Sequence, residues 1–304
     1  MTVEAVGRPR PKRGGAVANP SIFWRIPWLR TAILLAPPLT WFVAIYLASL
    51  ALLLVTAFWT IDPFTTRVVQ SWSLDNFQQI VNEPTYLRII GRTVLMAALV
   101  TMTDALIAFP FAYYMARVAS RRVQTALFAA VLLPLWASYL ARLYAWILIL
   151  NHSGVLNWSL QSVGLPAANV AYSDVAVWIV FSYIWLPFMI LPIYAALERI
   201  PDSYFEASRD LGAKGRTTLR RIILPLVLPG IVAGSIFTFS LTLGDYVTPT
   251  LVGGAGSQFI GNVVFESVGI ANNVPFAAAY ATVPLLIMAV YLVAARRLGA
   301  FEAL

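Results

Sequence analysis

The sequence predicts an all-α membrane protein with six transmembrane helices. Three observations carry that reading. Of 304 residues, 60% are hydrophobic and only 11% are charged, against about 25% charged in a soluble domain. Mean hydropathy is +0.77, more apolar surface than a water-soluble fold can hide. Six stretches reach the roughly 20 apolar residues that a spanning helix needs, and the loops between them alternate in charge.

Residues 1–20, rich in Pro, Gly and Arg, read as a disordered basic arm. Residues 21–30 mix Ile22, Phe23, Trp24 and Trp28 with Arg25 and Arg30. They either lie along the membrane surface or serve as a basic flank to the first span. The chain therefore divides into a cytoplasmic arm and interfacial segment, 1–30, and a six-helix transmembrane domain, 31–304. The spans are 31–59, 93–115, 123–150, 174–197, 222–245 and 275–295. The first is too long for a secretory signal core, and no small-residue cleavage site follows it promptly.

Lys and Arg in the loops set the orientation. Arg8, Arg10, Lys12, Arg13, Arg25 and Arg30 precede the first span. Arg117, Arg121 and Arg122 lie between the second and third. Arg199, Arg209, Lys214, Arg216, Arg220 and Arg221 lie between the fourth and fifth, and Arg296 and Arg297 follow the sixth. The other side carries Arg67, Arg88 and Arg92, and loops 151–173 and 246–274 have no Lys or Arg. Both termini are predicted to be cytoplasmic. The net charge of +8 reflects this loop asymmetry rather than a nucleic-acid partner.

Composition also excludes chemistry. Without cysteine there is no disulfide framework, thiolate metal site or cysteine nucleophile. His152, the single histidine, cannot make a multi-histidine metal site, and as a lone loop residue it has no assigned role. Nothing reads as a catalytic constellation. The Gly253-Gly254-Ala255-Gly256 run lacks the Lys of a phosphate-binding loop.

The loop 198–221 is more organised than a connector needs. Pro201 suits a helix's first turn. Asp202 and Glu206 sit near the positive helix end, and Lys214 and Arg216 lie towards the other. Tyr204, Ala207, Ser208 and Leu211 recur at helical spacing as one apolar-to-small face, and Gly212 is placed to end the helix with a positive φ. Such a face docks on a partner, on its own bundle or on the lipid surface.

Glu206-Ala207-Ser208, Gly212 and then Ile222-x-Leu224-Pro225 resemble the EAA signature of ATP-binding-cassette importer permeases, with Ser208 in place of the second Ala. The resemblance implies the type I importer permease architecture. In that family the loop forms a coupling helix that enters a cleft of the ATPase. Carried over, Tyr204, Glu206, Ala207, Ser208, Leu211 and Gly212 would make that contact and its turn. ATP and Mg would be bound by the partner ATPase, since this chain has no phosphate-binding loop and no cofactor of its own. Implied partners are a second homologous permease, two ATPase subunits, a periplasmic or extracellular substrate-binding protein and the lipid bilayer. The implied location is the bacterial inner membrane. Arg142-Leu143-Tyr144-Ala145-Trp146, Leu186 to Pro192 with Pro187, and Gly244-Asp245-Tyr246-Val247-Thr248-Pro249 further resemble the spermidine/putrescine branch. Other small solutes, among them opines, amino-acid derivatives and anions, are the alternative cargo. A secondary transporter working alone is the reading of a different class; such folds usually show internal repeats, none is evident here, and the EAA loop would have no purpose.

Ionisable residues inside the bilayer are functional candidates. Asp104 and Asp245 are carboxylates suited to a polyamine's ammonium groups, with Trp136, Tyr139, Tyr144, Trp146, Tyr183, Trp185 and Tyr246 as π-faces. Asp104 either meets the pathway or hydrogen-bonds to Thr101, Thr103 or a neighbouring helix. Arg142 lines the path of an anionic solute, snorkels outwards or neutralises an aspartate. Asp245 meets substrate or caps a turn. Asp174 suits the N-terminus of the fourth span. Pro134, Pro187, Pro192, Pro225 and Pro229 interrupt backbone hydrogen bonding within or near spans.

Overall fold

The computed structural model describes residues 27–62 and 64–297. The basic arm and most of the expected interfacial segment lie outside the described residues. The chain divides into two units, Met1–Leu53 and Leu54–Leu304. In the first, α1 (Pro27–Trp41) runs through a π-helical turn, Phe42–Leu47, into α2 (Ala48–Thr56). The segment Thr31–Thr56 is long and apolar enough to cross a membrane.

The second unit opens with features that apolar runs did not announce. Strands β1 (Thr60–Ile61) and β2 (Val68–Val69) pair antiparallel, with Thr60 opposite Val69. They make the one small hairpin among the described residues. Asp62 shapes its turn, accepting the N–H groups of Phe64 at 2.8 Å and Thr65 at 3.0 Å. Helix α3 (Asp75–Asn82) follows. Its buried Asn76 donates to the carbonyls of Ala57 at 2.9 Å and Trp59 at 2.8 Å, satisfying backbone groups just past the end of α2.

Helix α4 (Pro84–Arg117) has 34 residues and extends the expected second span at both ends. The expected third span is not one helix. It breaks into α5 (Arg121–Trp136) and α6 (Tyr139–Leu150), and the two arms are bent by 98°. Ala137 and Ser138 between them are extended, with ψ of 145° and 136°. Pro134, three residues before the break, has no N–H to continue the ladder. Among the described residues, five helical segments are therefore long and apolar enough to span, or six if this bent pair is one span. Helix α7 (Val155–Ser162) leads to α8 (Asp174–Glu198), whose bounds fit the expected fourth span. Then come α9 (Asp202–Asp210), α10 (Gly215–Thr218), a π-helical turn at Leu219–Ile223, and α11 (Leu224–Gly244). A second π-helical turn at Pro249–Gly253, α12 (Ile260–Gly269) and α13 (Val274–Arg297) complete the described fold. Of the prolines singled out, Pro187, Pro192 and Pro229 sit inside continuous helices and Pro225 opens α11; only Pro134 lies next to a break.

Helix α8 is the packing centre. One apolar cluster joins its second half to α4, with Ala108, Ala112 and Met115 against Met189, Ile193 and Leu197. Another joins its first half to α4 and α6 through Met96, Val100, Leu143, Val180 and Phe181. Lipid is as apolar as leucine, so close backbone approach matters more here than hydrophobic burial. Gly230 and Gly234 of α11 supply that approach. A Cβ at Gly230 would stand 2.8 Å from the Pro192 carbonyl oxygen, and one at Gly234 would stand 2.7 Å from Met189 Sδ. A third cluster gathers Ala57, Ile80, Ile260, Phe276 and Tyr280.

Candidate functional site

The loop between α8 and α11 forms the helix expected of it, with three differences. Pro201 is the N-cap residue, extended at ψ 146°, one position before the first turn. Helix α9 ends at Asp210, so Lys214 and Arg216 fall beyond it; Arg209 is the basic residue of its last turn. Lys214 instead caps α10. Gly212 does stop the helix, at φ +69°. Its N–H bonds to the Arg209 carbonyl at 2.8 Å, and the N–H of Ala213 to the Ser208 carbonyl at 3.0 Å, which satisfies the last carbonyls of the helix.

The third difference concerns the face of α9. Ser208 is buried, whereas Tyr204, Ala207 and Leu211, with which it recurs at helical spacing, are exposed. Its hydroxyl lies 2.7 Å from that of Thr218, so the Ser that replaces Ala in the signature fastens α9 to α10. Leu211 is 87% exposed. Glu206 is exposed beside these residues. Of the expected contact residues, Tyr204, Glu206, Ala207 and Leu211 are therefore the exposed ones, with Gly212 as the turn.

Arg117 positions this loop, a role that a basic residue beside a loop did not disclose. From the end of α4 it donates to Asp202 at 2.9 Å, to the Ile200 carbonyl at 2.5 Å and to the Leu197 carbonyl. Its guanidinium lies 4.8 Å from the Phe205 ring centroid. On the same side, Gln124 of α5 donates to Tyr194 at 2.7 Å and Glu198 at 3.0 Å.

Arg92 does the corresponding work at the other end of α4. It bonds Asp174, the Gly256 carbonyl at 2.5 Å and Ser257 at 3.2 Å. Asp174 thus does more than favour the start of α8, where Ser173 is the capping residue. His152 stands in the loop after α6, and its carbonyl accepts from the buried Asn157 at 3.0 Å.

The intramembrane candidates separate into three places. Asp104 is 0% exposed in the middle of α4, and neither carboxylate oxygen has a hydrogen-bond partner among the described residues. The neighbouring threonines are engaged elsewhere. Thr101 donates to the Ala97 carbonyl, and Thr103 accepts from Trp178 at 3.1 Å. A cavity of about 320 Å³ beside it is lined by Thr103, Ile107, Trp146, Trp178, Tyr183 and Leu186, among others. Trp146 and Tyr183 meet there at 5.2 Å. Asp104 does not line that cavity, so the carboxylate and these π-faces do not share one surface.

The third place is the break between α5 and α6. Tyr139 donates to Asp245 and stacks on Trp185 at 6.3 Å. Both oxygens of Asp245 are occupied, because it also accepts the Thr248 hydroxyl at 2.8 Å and the N–H groups of Val247 at 2.8 Å and Thr248 at 3.2 Å. Of its two readings, the turn-capping one fits this geometry. Arg142 lies 5.7 Å from the Tyr139 ring centroid, and its Nε and Nη1 have no hydrogen-bond partner. It does not neutralise an aspartate: the ion pairs among the described residues are Arg92–Asp174 and Arg117–Asp202. Tyr246 stacks on Phe265 at 4.4 Å, and Tyr144 and Trp136 are exposed.

Comparison with known proteins places this arrangement. Residues 108–301 match the family described as "Binding-protein-dependent transport system inner membrane component". The Escherichia coli K12 protein named "Inner membrane ABC transporter permease protein YdcU" is 47% identical over 97% of each chain. The Haemophilus influenzae "Spermidine/putrescine transport system permease protein PotB" is 34% identical over 68% of this chain and 72% of its own. Among solved structures, a bacterial ABC transporter that imports the acidic polysaccharide alginate superposes with a TM-score of 0.69 at 22% identity, over 90% of this chain and 97% of that one.

Proposed function

The chain belongs to the family of binding-protein-dependent transport system inner membrane components and is a permease subunit of an ABC importer; from that premise we propose that it forms half of a translocation pathway for polyamines. The second half is a homologous permease, and two separate ATPase subunits bind ATP and Mg. A substrate-binding protein delivers the solute on the outer side. The loop charges support a cytoplasmic location for both termini and α9. ATP closes the ATPase pair, α9 moves with it, and the helices above rock between outward- and inward-facing states.

Asp104 carries the substrate reading. A fully buried carboxylate without a partner among the described residues is costly in a bilayer, and an ammonium group that reaches it when the helices rock apart would offset that cost. The relative of 34% identity that is named for spermidine and putrescine supports the same class. The fold itself carries no substrate information, since a chain of like fold serves an acidic polysaccharide. Arg142 favours a second reading, an anionic or zwitterionic solute, because two of its nitrogens are buried without partners.

The test is uptake by the reconstituted complex, with spermidine, putrescine and an anionic solute competing. Polyamine uptake that Asp104→Asn abolishes and Arg142→Gln spares supports the proposal. Uptake of the anionic solute alone, lost in Arg142→Gln, would replace it with the second reading.

A further inference from the structure

We infer that Arg117 is the positioning residue that clamps the coupling helix to α4, so that the two move as one body. The proposal rests on the reading that α9 receives the ATPase's motion.

Three elements meet at this one side chain. Arg117 is the last residue of α4 and its side chain is only 14% exposed. One arm of the guanidinium holds Asp202, in the first turn of α9, at 2.9 Å. The other arm holds the carbonyls of Leu197 and Ile200, at the C-terminal end of α8. That end carries partial negative charge, and two of its carbonyls accept from Arg117, so the cation is held even without Asp202. The guanidinium carbon lies over the Phe205 ring of α9, 4.8 Å from its centroid. A planar fork can make these contacts together, whereas an ammonium group is a point donor that cannot. A displacement of α9 is thereby delivered to α4 directly, as well as through α10 and α11. Helix α4 carries Asp104 at its centre, so the cytoplasmic contact and the buried carboxylate belong to one continuous helix.

The arms of the clamp are unequal. Asp202 has an 86% exposed side chain, and exposed ion pairs contribute little. The carbonyl contacts and the cation–π contact with Phe205 carry the clamp.

The experiment uses the assembled complex in proteoliposomes, reading uptake per ATP hydrolysed at matched amounts of complex with matched Tm. Arg117→Lys keeps the charge and should assemble, but uptake per ATP should fall by about fivefold or more. Asp202→Asn should stay within about twofold of the parent. Arg117→Lys that assembles and transports with the parental ratio overturns the clamp and leaves α9 as the ATPase contact. Leu211→Glu in the same assay separates the two ideas. If it leaves ATPase binding intact, α9 is not the contact and the clamp falls with that reading.

Discussion

Tyr139 donates its phenolic hydrogen to Asp245, joining the first residue of α6 to the residue that ends α11. The bond spans the place where the expected third span breaks. The Thr248 hydroxyl converges on the same carboxylate oxygen and lies 2.6 Å from that of Tyr139. A carboxylate offers about four acceptor positions, and Asp245 fills them within its own chain.

Tyr139→Phe removes a hydrogen bond to a charged group, which contributes about 1.5–3 kcal/mol. The complex should melt at lower temperature and keep its uptake per folded complex. Asp245→Ala should destabilise further, because the N–H groups of Val247 and Thr248 lose their acceptor as well. Thermal melts and uptake of both variants check this. Normal melting with lost uptake would instead make Asp245 a pathway residue.

The contact of α11 with α8 depends on two glycines. Gly234→Val places methyl groups where a Cβ alone already approaches Met189 Sδ within 2.7 Å. Overpacking of this kind costs about 1–3 kcal/mol, and yield and Tm should both fall. Gly91→Ala in α4 meets nothing within 4 Å and should leave both unchanged.

Gly212 occupies the left-handed region at φ +69°, where an L side chain is strained by roughly 1–2 kcal/mol. Gly212→Ala should lower uptake per ATP hydrolysed. Gly212→Asn, a residue that tolerates this conformation, should lower it less. The comparison separates backbone strain from steric block, because no atom lies within 4 Å of a Cβ there.

Asp62 gives a pH prediction outside the membrane. The N–H groups of Thr65 and then Phe64 hold its carboxyl below the usual carboxylate range. A lowered folded pKa stabilises the turn above the unfolded value of about 3.9. That contribution disappears as pH falls through the folded value. Hydrogen exchange should show the Phe64 and Thr65 amides protected at neutral pH and released in acid. Asp62→Asn should remove the pH dependence.

Much of the fold was legible, for a physical reason. A run such as 174–197 is apolar all round, and α8 occupies it almost residue for residue. Gly212 was legible because a helix that must stop there needs a positive φ. The break after Pro134 was not. A proline inside an apolar run can bend a helix or sit in a continuous one, as Pro187 and Pro192 do, and local sequence does not distinguish the outcomes. Arg92 and Arg117 read only as loop charges because their partners lie 82 and 85 residues away. The face of α9 was half legible. Spacing alone grouped Ser208 with Tyr204, Ala207 and Leu211, but the hydroxyl of Thr218 draws it inwards. Gly230 and Gly234 carried a readable signal, the small-xxx-small spacing of close helix pairs.

The central claim is that the exposed face of α9 receives the motion of a separate ATPase. The most direct measurement is ATPase co-purification and uptake with Glu206→Ala and Leu211→Glu. The account predicts that Leu211→Glu loses the ATPase, and that Glu206→Ala keeps it while hydrolysing ATP without uptake. Both variants holding the ATPase and transporting normally would contradict it.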